Sequence, residues 1–184
     1  EHTWFFKDKT LSMAVNLPVY VSASLREDTS FKFYFVQLED EKHTNLSSLK
    51  LKKEDKWANS IKSILYGFYS GGFELKGIDF TIYSEILPSA GFGITTAVKV
   101  ASCWAIRELC GLKCSQDQIL QVIERANKNF LGTANHSADS FAAIFSKENN
   151  LVLTDYAKKS CELVPFNFKE KTVLLTDALV PRIV

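Results

Sequence analysis

Ile78-Asp79-Phe80-Thr81-Ile82-Tyr83-Ser84, followed by Leu87-Pro88-Ser89-Ala90-Gly91-Phe92-Gly93-Ile94-Thr95-Thr96-Ala97, decides how this chain reads. The first run has the alternation of a strand, and the second leads into an apolar run from Ala97 to Leu109. Strand, glycine loop, hydroxyl pair and helix in that order form a device for holding an anion. Glycines let the backbone approach closely, and a helix start offers unpaired N–H groups and the positive end of its dipole. Thr95 and Thr96 would add hydroxyl contacts to a phosphate or to its metal. A glycine-rich turn with a threonine cap has the same local pattern.

Upstream, Leu11 to Leu17 and Val19 to Leu25 read as strands separated by Pro18, and Phe31 to Val36 alternates as a half-buried strand. Leu38 to Asp55 is polar and reads as a surface connection with a short strand at Leu49 to Leu51. Trp57, Ile61, Ile64, Leu65 and Phe68 recur at threes and fours, predicting an amphipathic helix that Gly71-Gly72 ends. Downstream, the loop leads into a buried helix from about Thr95 to Leu109, stopped by Gly111. Ser115-Gln116-Asp117-Gln118 has capping-box spacing and opens a helix through Ile123. Asn150 to Asp155, Cys161 to Phe166 and Lys171 to Thr176 complete the strand candidates. Strands, then helices, then strands predict an α+β layer fold.

The 184 residues suffice for one substantial core. Hydrophobic residues at 46% and charged residues at 23% are the balance of a globular domain. A net charge of +1 with no basic block argues against a nucleic-acid surface. No apolar run has membrane-spanning length and no signal pattern opens the chain, so no membrane partner and a cytoplasmic location are expected. Cys103, Cys110, Cys114 and Cys161 leave a zinc site and buried reduced thiols both open, the thiols being the simpler reading.

Pro88 to Ala97 resembles the phosphate loop of the GHMP small-molecule kinases, written P-x-x-x-G-L-G-S-S-A, with one residue fewer before Gly91. Three other stretches are similar to the galactokinases of that superfamily. Glu1-His2-Thr3 resembles the end of G-R-x-N-L-I-G-E-H-T-D-Y, and Trp57 to Lys62 resembles W-A-N-Y-V-K. Ala126 to Gly132, with Ala138 to Phe141, resembles A-E-x-x-F-x-G followed by M-D-Q-F. The matches keep family order along nearly the whole chain. The resemblance implies a GHMP kinase N-terminal domain over residues 1–184, of the ribosomal protein S5 domain 2-like type, with the C-terminal GHMP domain outside this chain. It implies ATP-dependent phosphorylation of galactose at the C1 hydroxyl, with ATP and Mg²⁺ as cofactors.

Residue by residue, the resemblance makes Asp139 the catalytic carboxylate acting on the anomeric hydroxyl. It also makes Glu1, His2 and Asp139 the sugar contacts. Trp57 would lie against adenine, Gly91, Phe92, Gly93, Thr95 and Thr96 would hold phosphate, and Thr95 would approach the metal. Read locally, Asp139 equally suits the N-cap of a short helix through Ala143, and Trp57 plain core. The chain departs from the family pattern in several places. Trp4 replaces a sugar-binding aspartate, Asn127 an acidic residue that helps hold magnesium, Ser140 the glutamine of M-D-Q, and His136 a glycine, while Ile94 stands near the loop serine. The arginine expected before Glu1 is not in the chain. These departures keep two alternatives open: a non-catalytic galactokinase-like binding protein, and a GHMP kinase for another small alcohol. They also predict that the 184 residues by themselves transfer phosphate poorly.

Overall fold

The computed structural model describes residues 9–86, 91–133, 137–167, 174 and 176. Two sheets and a helical layer build it. Strands β2 (Val19–Leu25), β3 (Ser30–Phe35), β4 (Asp40–Asn45) and β5 (Ile78–Ser84) form a four-stranded sheet in the order β2-β5-β3-β4. Its central pair, β3 and β5, is parallel with Phe33 opposite Phe80, and the other two pairings are antiparallel. A parallel pair needs a long crossover. Strand β4 and helix α1 (Ala58–Tyr69) supply it. Strands β1 (Lys9–Ser12), β6 (Asn150–Asp155) and β7 (Ser160–Pro165) make a second, antiparallel sheet in the order β1-β6-β7.

Period-two alternation sorts the faces of the larger sheet. Phe31, Phe33, Phe35, Ile78, Phe80 and Ile82 are buried, whereas Tyr20, Tyr34 and Tyr83 are exposed on the other side. The buried face meets Ile61, Ile64, Leu65 and Phe68 of α1 and the apolar side of α2 (Ile94–Leu109). Helix α3 (Gln116–Arg125) adds Ile119, Leu120, Val122 and Ile123 to the same core. Its start is the expected capping box: Ser115 Oγ accepts from the Gln118 N–H at 3.2 Å, and Gln118 Oε1 accepts from the Ser115 N–H at 2.8 Å. A π-helical turn, Ala126–Leu131, carries the chain toward α4 (Ser137–Phe145).

The structure departs from the sequence reading in four places. Strand β1 ends at Ser12, not Leu17, and residues 13–18 cross from one sheet to the other. Pro18 offers no N–H to a ladder and restricts the residue before it, so pairing lapses ahead of it. Asp40–Asn45, read as a polar connection, is a strand, because it sits at the sheet edge with only β3 beside it and tolerates charge. Leu49 to Leu51 forms no strand and lies between two short 3₁₀ turns, Leu46–Ser48 and Lys53–Asp55. Asp139 lies within the first turn of α4, which starts at Ser137, and so is not its N-cap. The strand expected at Lys171 to Thr176 falls outside the described residues apart from Leu174 and Thr176.

Candidate active site

The glycine loop sits where β5 hands over to α2. Gly91 has φ +79° and Gly93 φ +66°, left-handed values that L side chains adopt only with strain. Gly93 is the N-cap of α2, and the first helical bond runs from the Ala97 N–H to its carbonyl at 2.9 Å. No side chain caps this end and no acidic residue occupies its first turn. The leading N–H groups of α2 therefore have no partner within the helix, and the positive end of its dipole faces the loop, an arrangement suited to an anion.

The loop opens on a cavity of about 410 Å³. Gly91, Phe92, Gly93, Thr96 and Trp104 line one side, the stretch Met13–Val15 with Leu17, Pro18 and Val19 lines another, and Asp139 with Ala142 and Ala143 closes it from α4. A Cβ placed on Gly93 would stand 3.2 Å from Asp139 Oδ2, so carboxylate and loop backbone are neighbours. The absence of a side chain at 93 is what permits that approach. The cavity thus combines an anion-holding helix start with an exposed carboxylate, the two groups that a phosphoryl donor and a hydroxyl acceptor require.

Of the residues singled out from sequence, Gly91, Phe92, Gly93, Thr96 and Asp139 line one cavity. Thr95 is exposed in the first turn of α2 and is not among the lining residues. Glu1, His2, Trp4, Pro88 and His136 lie outside the described residues. Trp57 stands away from this cavity. Its indole N–H donates to Asp40 Oδ2 at 2.8 Å, and its ring meets Phe35 edge-on with centroids 5.4 Å apart. Lys42 and the Trp57 indole hold the Asp40 carboxyl below its usual pKa. Phe35 and Ser84 end the parallel strands β3 and β5, so Trp57 occupies the end of the sheet from which the glycine loop departs.

The rest of the W-A-N-x-x-K stretch is structural. Asn59 Nδ2 donates to the Lys52 carbonyl at 2.7 Å, and its Oδ1 accepts from the Lys52 N–H at 3.3 Å. Lys62, 1% exposed, pairs with Asp55 at 2.6 Å and also donates to the Lys50 carbonyl. Together these contacts bind the irregular segment 46–56 to α1.

Sequence reading missed two parts of the cavity wall, the β1–β2 connection and Trp104, and it missed the buried lysine of α2, Lys99. Lys99 is buried on α2, and its ammonium donates to Asn127 Oδ1 at 2.7 Å. Burial pushes its pKa down to about 8. A lone lysine inside the apolar run Ala97 to Leu109 was the available signal. The same burial raises the Cys103 thiol well above its ordinary value. None of the four cysteines is in a disulfide, and no three His, Cys, Asp or Glu groups converge as a metal site among the described residues.

Asn127 does not fit as a ligand of a protein-held magnesium ion. Magnesium takes oxygen ligands, mostly from carboxylates and phosphates, in a near-octahedral shell. Asn127, at the place of the family's acidic residue, already gives its amide oxygen to an ammonium.

Comparison with known proteins sets this geometry in a family. Residues 59–147 match the model described as GHMP kinases N terminal domain. The crystal structure of Lactococcus lactis galactokinase complexed with galactose superposes with a TM-score of 0.82 over 97% of this chain and 49% of that one, at 20% identity. This is the fold of a GHMP kinase N-terminal domain. The superposition covers both sheets and the helical layer, not merely the glycine loop. By sequence the chain is similar to galactokinases. A Treponema pallidum protein provisionally named a galactokinase is 35% identical over all 184 residues, which make up 46% of its length. The Thermosipho africanus galactokinase is 30% identical over 180 residues, covering 98% of this chain and 49% of its own. The chain spans about half the length of the curated relatives it matches. No helix among the described residues is long and apolar enough to cross a membrane.

Proposed function

We propose that this chain is the sugar- and nucleotide-binding half of a cytoplasmic galactokinase that transfers the γ-phosphoryl group of ATP to the C1 hydroxyl of galactose. The observation that carries the reading is the single cavity lined by both the Gly91–Gly93 loop and Asp139. The triphosphate lies along the loop, with its negative charge on the N–H groups that begin α2, and Thr95 and Thr96 stand in reach as hydroxyl donors. The sugar lies beside Asp139, with Glu1 and His2 as its further contacts, and adenine takes the Trp57 side of the loop. The C1 oxygen bonds to the γ-phosphorus as the bond to the β,γ-bridging oxygen breaks. ADP leaves with the electron pair, and Asp139 takes or orients the hydroxyl proton. Catalysis by such a site is mostly placement and charge stabilisation.

The test is ADP release by the full-length protein, with galactose compared against glucose, homoserine and mevalonate. Turnover confined to galactose supports the proposal, and turnover confined to another alcohol assigns a different GHMP substrate. One pair of observations favours a second reading, binding without turnover: Trp4 in place of a sugar-binding aspartate, and the commitment of Asn127 to Lys99. Calorimetric binding of galactose or ATP with no ADP formed in the same assay selects it.

A further inference from the structure

Lys99 follows Thr95 by four residues and Thr96 by three, so the three side chains share one face of α2. A long helical side chain leans toward the N-terminus of its helix, here the direction of the glycine loop; the ammonium itself rests on Asn127, and of the three residues only Thr96 lines the cavity. Lys99 is only 6% exposed. Its ammonium carries three donors, of which the Asn127 amide takes one, and no carboxylate pairs with it among the described residues. A buried ammonium resting on a single neutral oxygen destabilises a fold, whereas a methionine of similar length would simply pack. The charge therefore serves something other than stability, and its spare donors suit an anion.

The same contact excludes a divalent ion from Asn127. Magnesium binds oxygen at roughly 2.1 Å, which would leave it within roughly 5 Å of an ammonium already 2.7 Å from the same atom. Two cations that close in a poorly hydrated site repel each other strongly.

We propose that Lys99, seated on the Asn127 amide, is itself the fixed cation beside the glycine loop, and that it meets the phosphate charge of a nucleoside triphosphate in place of a divalent ion held at residue 127. The proposal rests on the phosphoryl-transfer reading above and specifies its electrostatics. Lys99 is a phosphate-binding residue in this scheme, and Asn127 is the residue that positions it. Burial is what lowers the Lys99 pKa, and an anionic partner beside the ammonium would raise it again.

The experiment is calorimetric titration of the full-length protein with ATP, once in EDTA and once in excess Mg²⁺. Four proteins are compared: wild type, Lys99→Met, Asn127→Ala and the double variant Lys99→Met/Asn127→Glu. Wild type is expected to bind ATP in EDTA within about threefold of its affinity in Mg²⁺. Lys99→Met should lose tenfold or more in EDTA. The double variant, with a free carboxylate at 127, should recover most of the loss only when Mg²⁺ is added. Asn127→Ala keeps the lysine without its seat and should lose less than Lys99→Met; it decides the matter if Lys99→Met does not fold. Strict dependence of wild-type binding on Mg²⁺, with Lys99→Met or Asn127→Ala unchanged in EDTA, overturns the inference and leaves the kinase reading standing. No ATP binding by wild type in either buffer overturns both.

Discussion

Gly93→Ala is the sharpest perturbation of the site. Residue 93 has φ +66°, and a left-handed conformation costs an L residue roughly 1–2 kcal/mol. The added Cβ would stand 3.2 Å from Asp139 Oδ2, close enough to push that carboxylate back by a few tenths of an ångström. The oxygen ends an exposed side chain, and the backbone cost is the part that the φ value fixes. A loss of about 1–2 kcal/mol is expected in equilibrium urea unfolding, or a fall in Tm of roughly 2–8 °C for a chain of this size. The displaced carboxylate should lower the proposed turnover about tenfold, since small misplacements of reacting groups cost rate steeply. Asp139→Ala in the Gly93→Ala background separates the two effects: it relieves the contact and leaves the backbone cost. Unchanged urea midpoint and unchanged turnover in Gly93→Ala would refute the placement of loop and carboxylate.

Other expectations follow from the same geometry. Asp139→Asn, which keeps the shape of the side chain, should reduce ADP release by roughly 100-fold or more, measured in a coupled assay. Asp55→Asn strips the buried Lys62 ammonium of its only carboxylate among the described residues and should cost about 3 kcal/mol in urea unfolding. Lys99 makes stability depend on pH. Below about pH 8 it is charged in both the folded and unfolded states, and the cost of burying it is felt in full. Between about 8 and its ordinary value of 10.5 the folded chain releases the proton first, so stability rises with pH, by at most about 3 kcal/mol. Cys103 is the titratable group acting on it, and subtracting the Lys99→Met profile from wild type isolates the lysine; a flat difference would contradict its burial.

Much of this architecture was legible because local signals agreed with the tertiary ones. The alternation of Phe31, Phe33 and Phe35 is the same pattern that faces Phe80 across the parallel pair, and the Ser115–Gln118 capping box closes as its spacing requires. The glycine loop was legible because positive φ at Gly91 and Gly93 leaves few alternatives to those residues. Asp40–Asn45 was not, because an edge strand with one neighbour needs no apolar alternation to pair. The cavity wall from Met13 to Val19 was equally hidden, since its place depends on β1 meeting a strand far along the chain. Lys99 and Asn127 are 28 positions apart, and single-sequence periodicity says nothing about a contact at that range.

The pairing of β1 with β6 sets the order in which the cavity comes into existence. Lys9 meets Asp155 and Ser12 meets Val152, so the first strand finds no partner until residues 152–155 have been made. At ordinary synthesis rates that is a wait of roughly 7 to 30 s. During that time the four-stranded sheet, complete once Ser84 has emerged, has all its strands to pair with one another. The wall between β1 and β2 is then tied at its β2 end alone, where the Pro18 carbonyl accepts from the Glu85 N–H. The cavity therefore closes only after β6 has been made, and a chain halted after α4 would carry the glycine loop and Asp139 on a site with one side open to water.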